Sequence, residues 1–317
     1  MENKQLIGKI KENISSVIVG KDEIITLILT SVLAGGHILL EDVPGTGKTV
    51  MAKTLAGSIS GVFSRIQFTP DLLPSDVTGI NFYNQKAGEF TLRKGPVFAN
   101  ILLADEINRA TPRTQSSLLE CMEEHQVTID GGTYRLEEPF TVIATQNPVE
   151  TAGTFPLPEA QLDRFLMKLS MGLPSKEEEM RIMERFMNDV PGAASGKINA
   201  VCSSAELIAM QSEAAKVYVH RAVLEYISEI IEATRSNSGI KLGVSPRGTL
   251  ALLRAVKAYA YVKGREYVVP EDVKALAVPV LAHRLVLASA ISGSDGKKKA
   301  IEDIISSAAV PTEEWSR

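Results

Sequence analysis

The apolar residues in the first half of the chain follow the patterns of amphipathic helices and buried strands. Near the N-terminus, Leu6, Ile7, Ile10 and Ile14 are spaced one to four residues apart, which predicts a helix with one buried face. Uninterrupted apolar runs are typical of parallel strands that are covered on both faces. Such runs predict strands at residues 38–40, 101–106, 140–145 and 165–171. An alternating apolar and polar segment predicts a fifth strand at residues 63–68.

Two further segments have the pattern of β-hairpins. Residues 81–92 contain two β-rich runs around a polar turn with Gly88, and residues 127–136 contain two β-branched runs around Asp130-Gly131-Gly132. We therefore predict two hairpins that are inserted among the alternating strands and helices.

The pattern becomes helical throughout beyond Leu173-Pro174. Ser175 and Glu178 have the spacing of a capping box at a helix start. The polar, lysine-rich residues 292–299 are predicted to form a mobile loop. The change of pattern divides the chain into an αβ domain at residues 1–172 and an all-helical domain at residues 173–317.

The composition of the chain disfavours several classes of protein. The chain has 317 residues, 44% of them hydrophobic, and a formal net charge of -4, so it lacks a global basic footprint for nucleic acid. Its two cysteines suit a reducing, cytoplasmic location. We expect no signal peptide, because Lys4, Lys9 and Lys11 have no apolar core beside them. We expect no membrane segment, because the apolar residues 24–40 are too few and contain Gly35-Gly36-His37.

A glycine-rich stretch, EDVPGTGKT at residues 41–49, lies between a predicted strand and a predicted helix. In a phosphate-binding loop, glycines let backbone N–H groups face an anion, a lysine reaches the outer phosphates and a hydroxyl ligates Mg²⁺. Asp42 stands where the full pattern has its first glycine. The candidate nucleotide-binding residues here are Pro44, Gly45, Thr46, Gly47, Lys48, Thr49 and Val50.

Polar side chains also end two of the other predicted strands. Asp105 and Glu106 close the run ILLADE, and Asn147 follows the strand at residues 140–145. Phosphoryl transfer requires a metal anchor and a group that orients water. We therefore predict that Asp105 and Thr49 ligate Mg²⁺, that Glu106 polarises the attacking water, and that Asn147 holds this water or the γ-phosphate.

Five motifs follow one another in this order: the phosphate loop, ILLADEIN, TQNP, LPEAQLDRF and GVSPRG. Through these motifs the chain resembles an AAA+ ATPase of the MoxR family. The resemblance extends from about Lys4 to about Leu287. By this resemblance, Lys48 and Thr49 belong to the Walker A motif, Asp105 and Glu106 to Walker B, and Asn147 is the sensor 1 residue.

The resemblance adds residues outside the loop and the strand ends. Val19 and Gly20 match the lining of the adenine pocket, Arg164 in LDRF matches an arginine finger that reaches a neighbouring subunit, and Arg247 in SPRG matches sensor 2. The sequence supports the last match independently, because Ser245 as N-cap and Pro246 at the first helical position place Arg247 in the first turn of a helix.

The resemblance implies an α/β fold: a five-stranded parallel αβα nucleotide-binding domain with two hairpin inserts, and a smaller all-α lid. ATP with Mg²⁺ would bind between the two domains, and the subunits would form a ring, a homo-hexamer. The ring would remodel or mature partner proteins, for which a protein with a von Willebrand A domain is one candidate. Three alternatives stay open: a magnesium-chelatase-like motor subunit, a nucleotide-gated scaffold with little turnover, and a nucleic-acid motor. The net negative charge of the chain disfavours a nucleic-acid motor.

Overall fold

A computed structural model describes residues 2–43, 45–86, 88–148, 153–188, 198–289, 293–312 and 315. The chain forms two compact units. The first unit comprises Met1–Ile25, His37–Leu157 and Leu169–Ile208, and the second comprises Thr26–Gly36, Pro158–Lys168 and Ala209–Arg317. The predicted boundary between residues 172 and 173 stays a prediction.

Strands and helices alternate up to residue 169. The helices are α1 (Glu2–Val17), α2 (Asp22–Leu33), α3 (Lys48–Ser58), α4 (Pro74–Thr78), α5 (Pro112–Glu124) and α6 (Glu159–Leu162). The strands are β1 (Ile38–Glu41), β2 (Ile59–Ser60), β3 (Phe63–Gln67), β4 (Gly79–Asn84), β5 (Glu89–Lys94), β6 (Ile101–Asp105), β7 (Gln126–Ile129), β8 (Gly132–Arg135), β9 (Thr141–Gln146) and β10 (Met167–Leu169).

Helices dominate the remainder. They are α7 (Lys176–Asn188), α8 (Ser204–Ala215), α9 (Arg221–Ser236), α10 (Pro246–Val262), α11 (Pro270–Leu281) and α12 (Gly293–Ser307), with the short strands β11 (Cys202–Ser203), β12 (Ile240–Leu242) and β13 (Val286–Leu287). Short 3-10 helices occupy Ile107–Arg109 and Ala282–Arg284. In the described residues, no helix is long and apolar enough to cross a membrane.

The main sheet has five strands in the order β10-β1-β9-β6-β3, which confirms the predicted parallel sheet. Consecutive residues in β1, β6 and β9, such as Leu39 and Leu40 or Leu102 and Leu103, are fully buried. Because neighbouring side chains in a strand point to opposite faces, both faces of these central strands are covered.

The register of this sheet sets the positions of three strand ends. Ala104 of β6 pairs with Ala144 of β9, and Glu41 of β1 pairs with Gln146 of β9. The segments that follow β1, β6 and β9 therefore leave the same edge of the sheet side by side. In open α/β sheets, ligands bind at this carboxyl edge, where the strand order reverses.

Both predicted hairpins are confirmed, and they differ in burial. In the first, β4 pairs antiparallel with β5, and Tyr83 lies opposite Phe90. In the second, β7 pairs with β8, and the inward side chains Val127 and Ile129 are buried. The second hairpin thus packs on its own unit, whereas the first exposes aromatic side chains.

The prediction of a mobile loop at residues 292–299 is wrong for the part that the structure describes. Helix α12 begins at Gly293 and includes the lysines. Ile301 and Ile304, which follow the polar segment, are buried and anchor the helix, while its polar first turns face solvent. A helix of this kind needs only one apolar stripe.

Candidate active site

The loop between β1 and α3 has the backbone of a phosphate cradle. Gly45 and Gly47 have φ values of 87° and 86°, in the left-handed region that favours glycine. A Cβ atom at Gly45 would meet nothing within 4 Å, so the glycine serves the backbone conformation and not close packing. Thr49 and Val50 lie in the first turn of α3, and Pro44 lies outside the described residues.

Lys48 is the first residue of helix α3, and its side chain points back toward the phosphate loop. The Lys48 Nζ donates to the carbonyl oxygen of Asp42 at 2.8 Å and to that of Val43 at 3.4 Å. The ammonium group is therefore held beside the turned backbone, at the N-terminus of α3, where the helix dipole also favours an anion.

Asp42 anchors the loop from its first position. The buried carboxylate accepts hydrogen bonds from the Ser170 hydroxyl at 2.7 Å, the Met171 N–H at 2.6 Å and the Gly172 N–H at 3.1 Å. Charge-assisted bonds to a carboxylate are among the stronger ones in proteins. An aspartate replaces the expected glycine here because its side chain fixes the loop to the segment that follows β10.

Thr145, on β9, hydrogen-bonds to both Asp105, the last residue of β6, and Glu106, the residue after it. Its hydroxyl donates to Asp105 Oδ1 at 2.5 Å and accepts from the backbone N–H of Glu106 at 2.8 Å. The other oxygen of Asp105 forms an ion pair with Arg65 at 2.7 Å. The carboxylate of Asp105 is thus oriented by two neighbouring strands.

Glu106 has a strained backbone and a fixed side chain. Its φ and ψ are 55° and 49°, a left-handed conformation that costs a non-glycine residue on the order of 1–2 kcal/mol. Glu106 Oε2 accepts from Gln67 Nε2 at 2.9 Å and lies 3.3 Å from Arg109 Nη1. Strain of this kind persists where surrounding contacts enforce it, often at active sites.

Asn147 follows β9 directly and is buried, with 8% of its surface exposed. Because β9 lies between β1 and β6, Asn147 leaves the sheet between the phosphate loop and the acidic pair. The structure therefore brings the predicted loop, metal and water-orienting residues to one edge of the first unit.

Gly20 has a φ of 71°, and the carboxylate of Glu178 lies against it. A Cβ atom at Gly20 would stand 1.8 Å from Glu178 Oε1, so a larger residue at this position would displace the Glu178 side chain. Glu178 accepts from the Ser175 N–H at 2.7 Å, and Ser175 Oγ accepts from the Glu178 N–H at 3.3 Å, which confirms the predicted capping box. The bond from Ser175 is the main reason why the pKa of Glu178 is lowered.

The second unit carries the two predicted arginines. Ser245 Oγ accepts from the Gly248 N–H at 3.2 Å, which confirms the N-cap of α10 and places Arg247 in its first turn. Arg254 lies two turns further along the same helix, and both burial and the charge of Arg247 lower its pKa. Arg164 follows α6, beside Asp163, whose Oδ2 accepts from the Ser245 hydroxyl at 3.3 Å. The segments that carry Arg164 and Arg247 therefore meet.

Sequence patterns did not reveal Thr145, Arg65 or Gln67 as neighbours of the acidic pair. Thr145 lies within the TQNP motif and could have been noticed there. Arg65 and Gln67 lie on β3, which pairs with β6, and only the order of the strands brings them to Asp105 and Glu106.

The comparisons with known proteins agree with this geometry. A model of the "ATPase family associated with various cellular activities (AAA)" matches residues 37–167, and a model of the "AAA lid domain" matches residues 232–307. The crystal structure of a candidate ATPase from Cytophaga hutchinsonii superposes with a TM-score of 0.89 at 41% identity, covering 98% of this chain and 96% of that one.

Two relatives match along most of their length. The uncharacterised protein YeaC of Bacillus subtilis is 50% identical over 97% of this chain and 96% of its own. Chaperone MoxR1 of Mycobacterium tuberculosis is 42% identical over 94% of this chain and 80% of its own. With a parallel nucleotide-binding sheet and a helical lid, the chain is a member of the MoxR family of AAA+ ATPases.

Proposed function

We propose that this protein hydrolyses ATP in a ring of its own subunits, hexameric by family resemblance, and uses the energy to remodel or mature partner protein complexes. The observation that carries the ATPase proposal is the acidic pair Asp105 and Glu106, which Thr145 fixes at the strand ends beside the phosphate loop. A scaffold that only binds nucleotide has no need for a strained, oriented glutamate.

The residues present fit a nucleotide with Mg²⁺. Hydroxyl and carboxylate oxygens suit this hard cation, and the Thr49 hydroxyl and the Asp105 carboxylate would hold it. When bound, Mg²⁺ neutralises charge on the phosphate oxygens. Lys48 and the loop N–H groups would bind the phosphates, Val19 and Gly20 would line the adenine site, and Glu106 and Asn147 would orient water.

The proposed roles of Arg164 and Arg247 rest on the family resemblance and on their placement in the second unit. Arg247 stands in the first turn of a capped helix, and its planar, permanently charged guanidinium suits a phosphate group. Arg164 would act in the site of a neighbouring subunit, which is why we propose a ring.

Protein partners are proposed from a relative and from the surface. The relative from Mycobacterium tuberculosis is named a chaperone. On the first hairpin, Tyr83 and Phe90 stack edge to face, with ring centroids 5.4 Å apart, yet are 54% and 73% exposed. Exposed aromatic pairs are typical of protein-binding surfaces. We propose that this hairpin contacts the partner, which could carry a von Willebrand A domain.

A cytoplasmic location is also proposed. Cys121 and Cys202 are both free and buried, as expected in a reducing compartment. Burial raises the pKa of these thiols to about 12 and about 11, so neither is a reactive thiolate at neutral pH.

The Glu106→Gln variant tests the ATPase proposal. It should bind ATP normally but hydrolyse it about 10² to 10⁴ times more slowly, because an amide cannot polarise water as a carboxylate does. Steady-state phosphate release, compared with binding, measures the effect, and Glu120→Gln on the exposed face of α5 is the control. Equal turnover in Glu106→Gln and wild type would remove Glu106 from the mechanism.

The Arg164→Ala variant tests the ring. Turnover should fall by about 10³ to 10⁵, the contribution of an arginine finger, while ATP binding persists. Arg221→Ala, whose side chain is 88% exposed, is the matched control. In wild type, the specific activity should fall on dilution as rings dissociate. A monomeric sample with constant specific activity would contradict the ring.

A third experiment locates the partner surface. In a tagged Glu106→Gln protein, replacement of Tyr83 and Phe90 by Thr should abolish co-purification of the partner, because Thr keeps the strand but removes the aromatic surface. The same replacement at the half-buried Tyr134 of the second hairpin serves as the control. Undiminished capture by the Tyr83/Phe90 variant would place the partner site elsewhere.

A further inference from the structure

The segment after α11 buries an arginine to which the reaction assigns no role. The side chain of Arg284 is 3% exposed, and its Nε lies 2.8 Å from Asp163 Oδ1. A buried charge is costly unless it is paired and hydrogen-bonded. Arg284 is paired with the Asp163 carboxylate, and its Nη atoms bind backbone carbonyl oxygens, most of which lie next to Arg164. The contact between Nε and Oδ1 is an ion pair without the alignment of a hydrogen bond.

The Arg284 guanidinium binds the backbone on both sides of Arg164. Its Nη2 donates to the carbonyl oxygen of Phe165 at 2.8 Å and to that of Asp163 at 3.3 Å, and its Nη1 donates to that of Leu166 at 3.4 Å. Nη1 also donates to the carbonyl oxygen of Val280 in α11. One side chain therefore ties the LDRF segment to the end of α11.

Asp163 is held from a second direction. Its Oδ1 faces Arg284, and its Oδ2 accepts from the Ser245 hydroxyl at 3.3 Å. That hydroxyl accepts from the Gly248 N–H through a lone pair and donates its one proton to Asp163. The residue before Arg164 is thus fixed to α11 and to the first turn of α10, which carries Arg247.

We propose that Asp163 and Arg284 are positioning residues that set the location of Arg164, so that it can reach a neighbouring active site. This proposal rests on the proposed role of Arg164 in hydrolysis. A misplacement of about 1 Å at a reacting group can cost about 10² in rate, so an arginine that must act across an interface needs a rigid base. Burial lowers the pKa of Arg284 to about 10, which still leaves it charged at neutral pH.

The chain offers a matched ion pair for comparison. Arg265 Nη1 donates to Asp272 Oδ2 at 2.8 Å, and the Asp272 side chain is 3% exposed. This pair lies in the same unit, and Asp272 accepts from the Val269 N–H at the start of α11. A variant that removes this pair therefore measures how the loss of a buried Arg–Asp pair affects stability alone.

The test compares full-length Asp163→Asn, Arg284→Lys, Arg164→Ala and Asp272→Asn proteins. We expect kcat to fall about 10²-fold in Asp163→Asn and Arg284→Lys, with KM nearly unchanged. Asp272→Asn should lower the thermal midpoint comparably but keep kcat near that of wild type. Should Asp163→Asn not fold, Arg284→Lys decides by the same criteria.

Mixing of variants separates positioning from general stability. Glu106→Gln subunits should hydrolyse ATP very slowly but keep an intact Arg164. Added to Asp163→Asn protein, they should restore turnover, as they should for Arg164→Ala, because they supply the arginine to an intact neighbouring site.

Three results would overturn the proposal. In one, Asp163→Asn and Asp272→Asn have the same kcat. In another, added Glu106→Gln protein restores the turnover of Arg164→Ala but not that of Asp163→Asn or Arg284→Lys. That result would refute the positioning role and leave the arginine finger standing. In the third, Arg164→Ala turns over like wild type, which refutes the arginine finger itself and this proposal with it.

Discussion

The hydrogen bonds of the Thr145 hydroxyl are the interaction on which the candidate active site depends. They join Asp105 and Glu106 across the pairing of β6 with β9, and they require the register in which Ala104 lies opposite Ala144. A shift of one residue would turn every side chain of the strand to the other face. The central sheet therefore does more than bury apolar surface, because its strand pairing places Thr145 where it orients the Asp105 carboxylate and binds the backbone N–H of Glu106.

A second constraint acts at the phosphate loop, and a third acts in the other unit. Asp42 fixes the start of the loop to the segment after β10 through three hydrogen bonds. Arg284 and Ser245 hold Asp163, which is the residue before Arg164. In both cases an aspartate beside a proposed functional group accepts bonds from distant segments. Groups held in this way lose little entropy when they bind a ligand.

The sequence predicted much of the fold because its signals are local. Apolar runs identified the buried strands such as Ile38–Glu41, and turn glycines identified both hairpins. Ser175 and Ser245 identified two helix starts. The lysine-rich residues 293–299 were misinterpreted because the apolar residues that anchor their helix come later in the chain, at Ile301 and Ile304.

The contacts that orient the candidate site could not be predicted from local patterns. Asp42 bonds to residues about 130 positions away, and Arg284 bonds to carbonyl groups about 120 positions away. Such pairs become neighbours only when the order of strands and helices is known. The same holds for Arg65 and Gln67, which reach the acidic pair from a different strand.

Calorimetric titration of ATP with Mg²⁺ into wild type and the Lys48→Ala variant tests the central claim most directly, which is that residues 42–49 bind a nucleotide. Lys53→Ala, an exposed position on the same helix, is the control. Wild type and Lys53→Ala should bind equally, and Lys48→Ala should bind about ten-fold to a hundred-fold more weakly, because it loses a charged hydrogen bond to phosphate. Equal affinity in all three proteins would contradict the account.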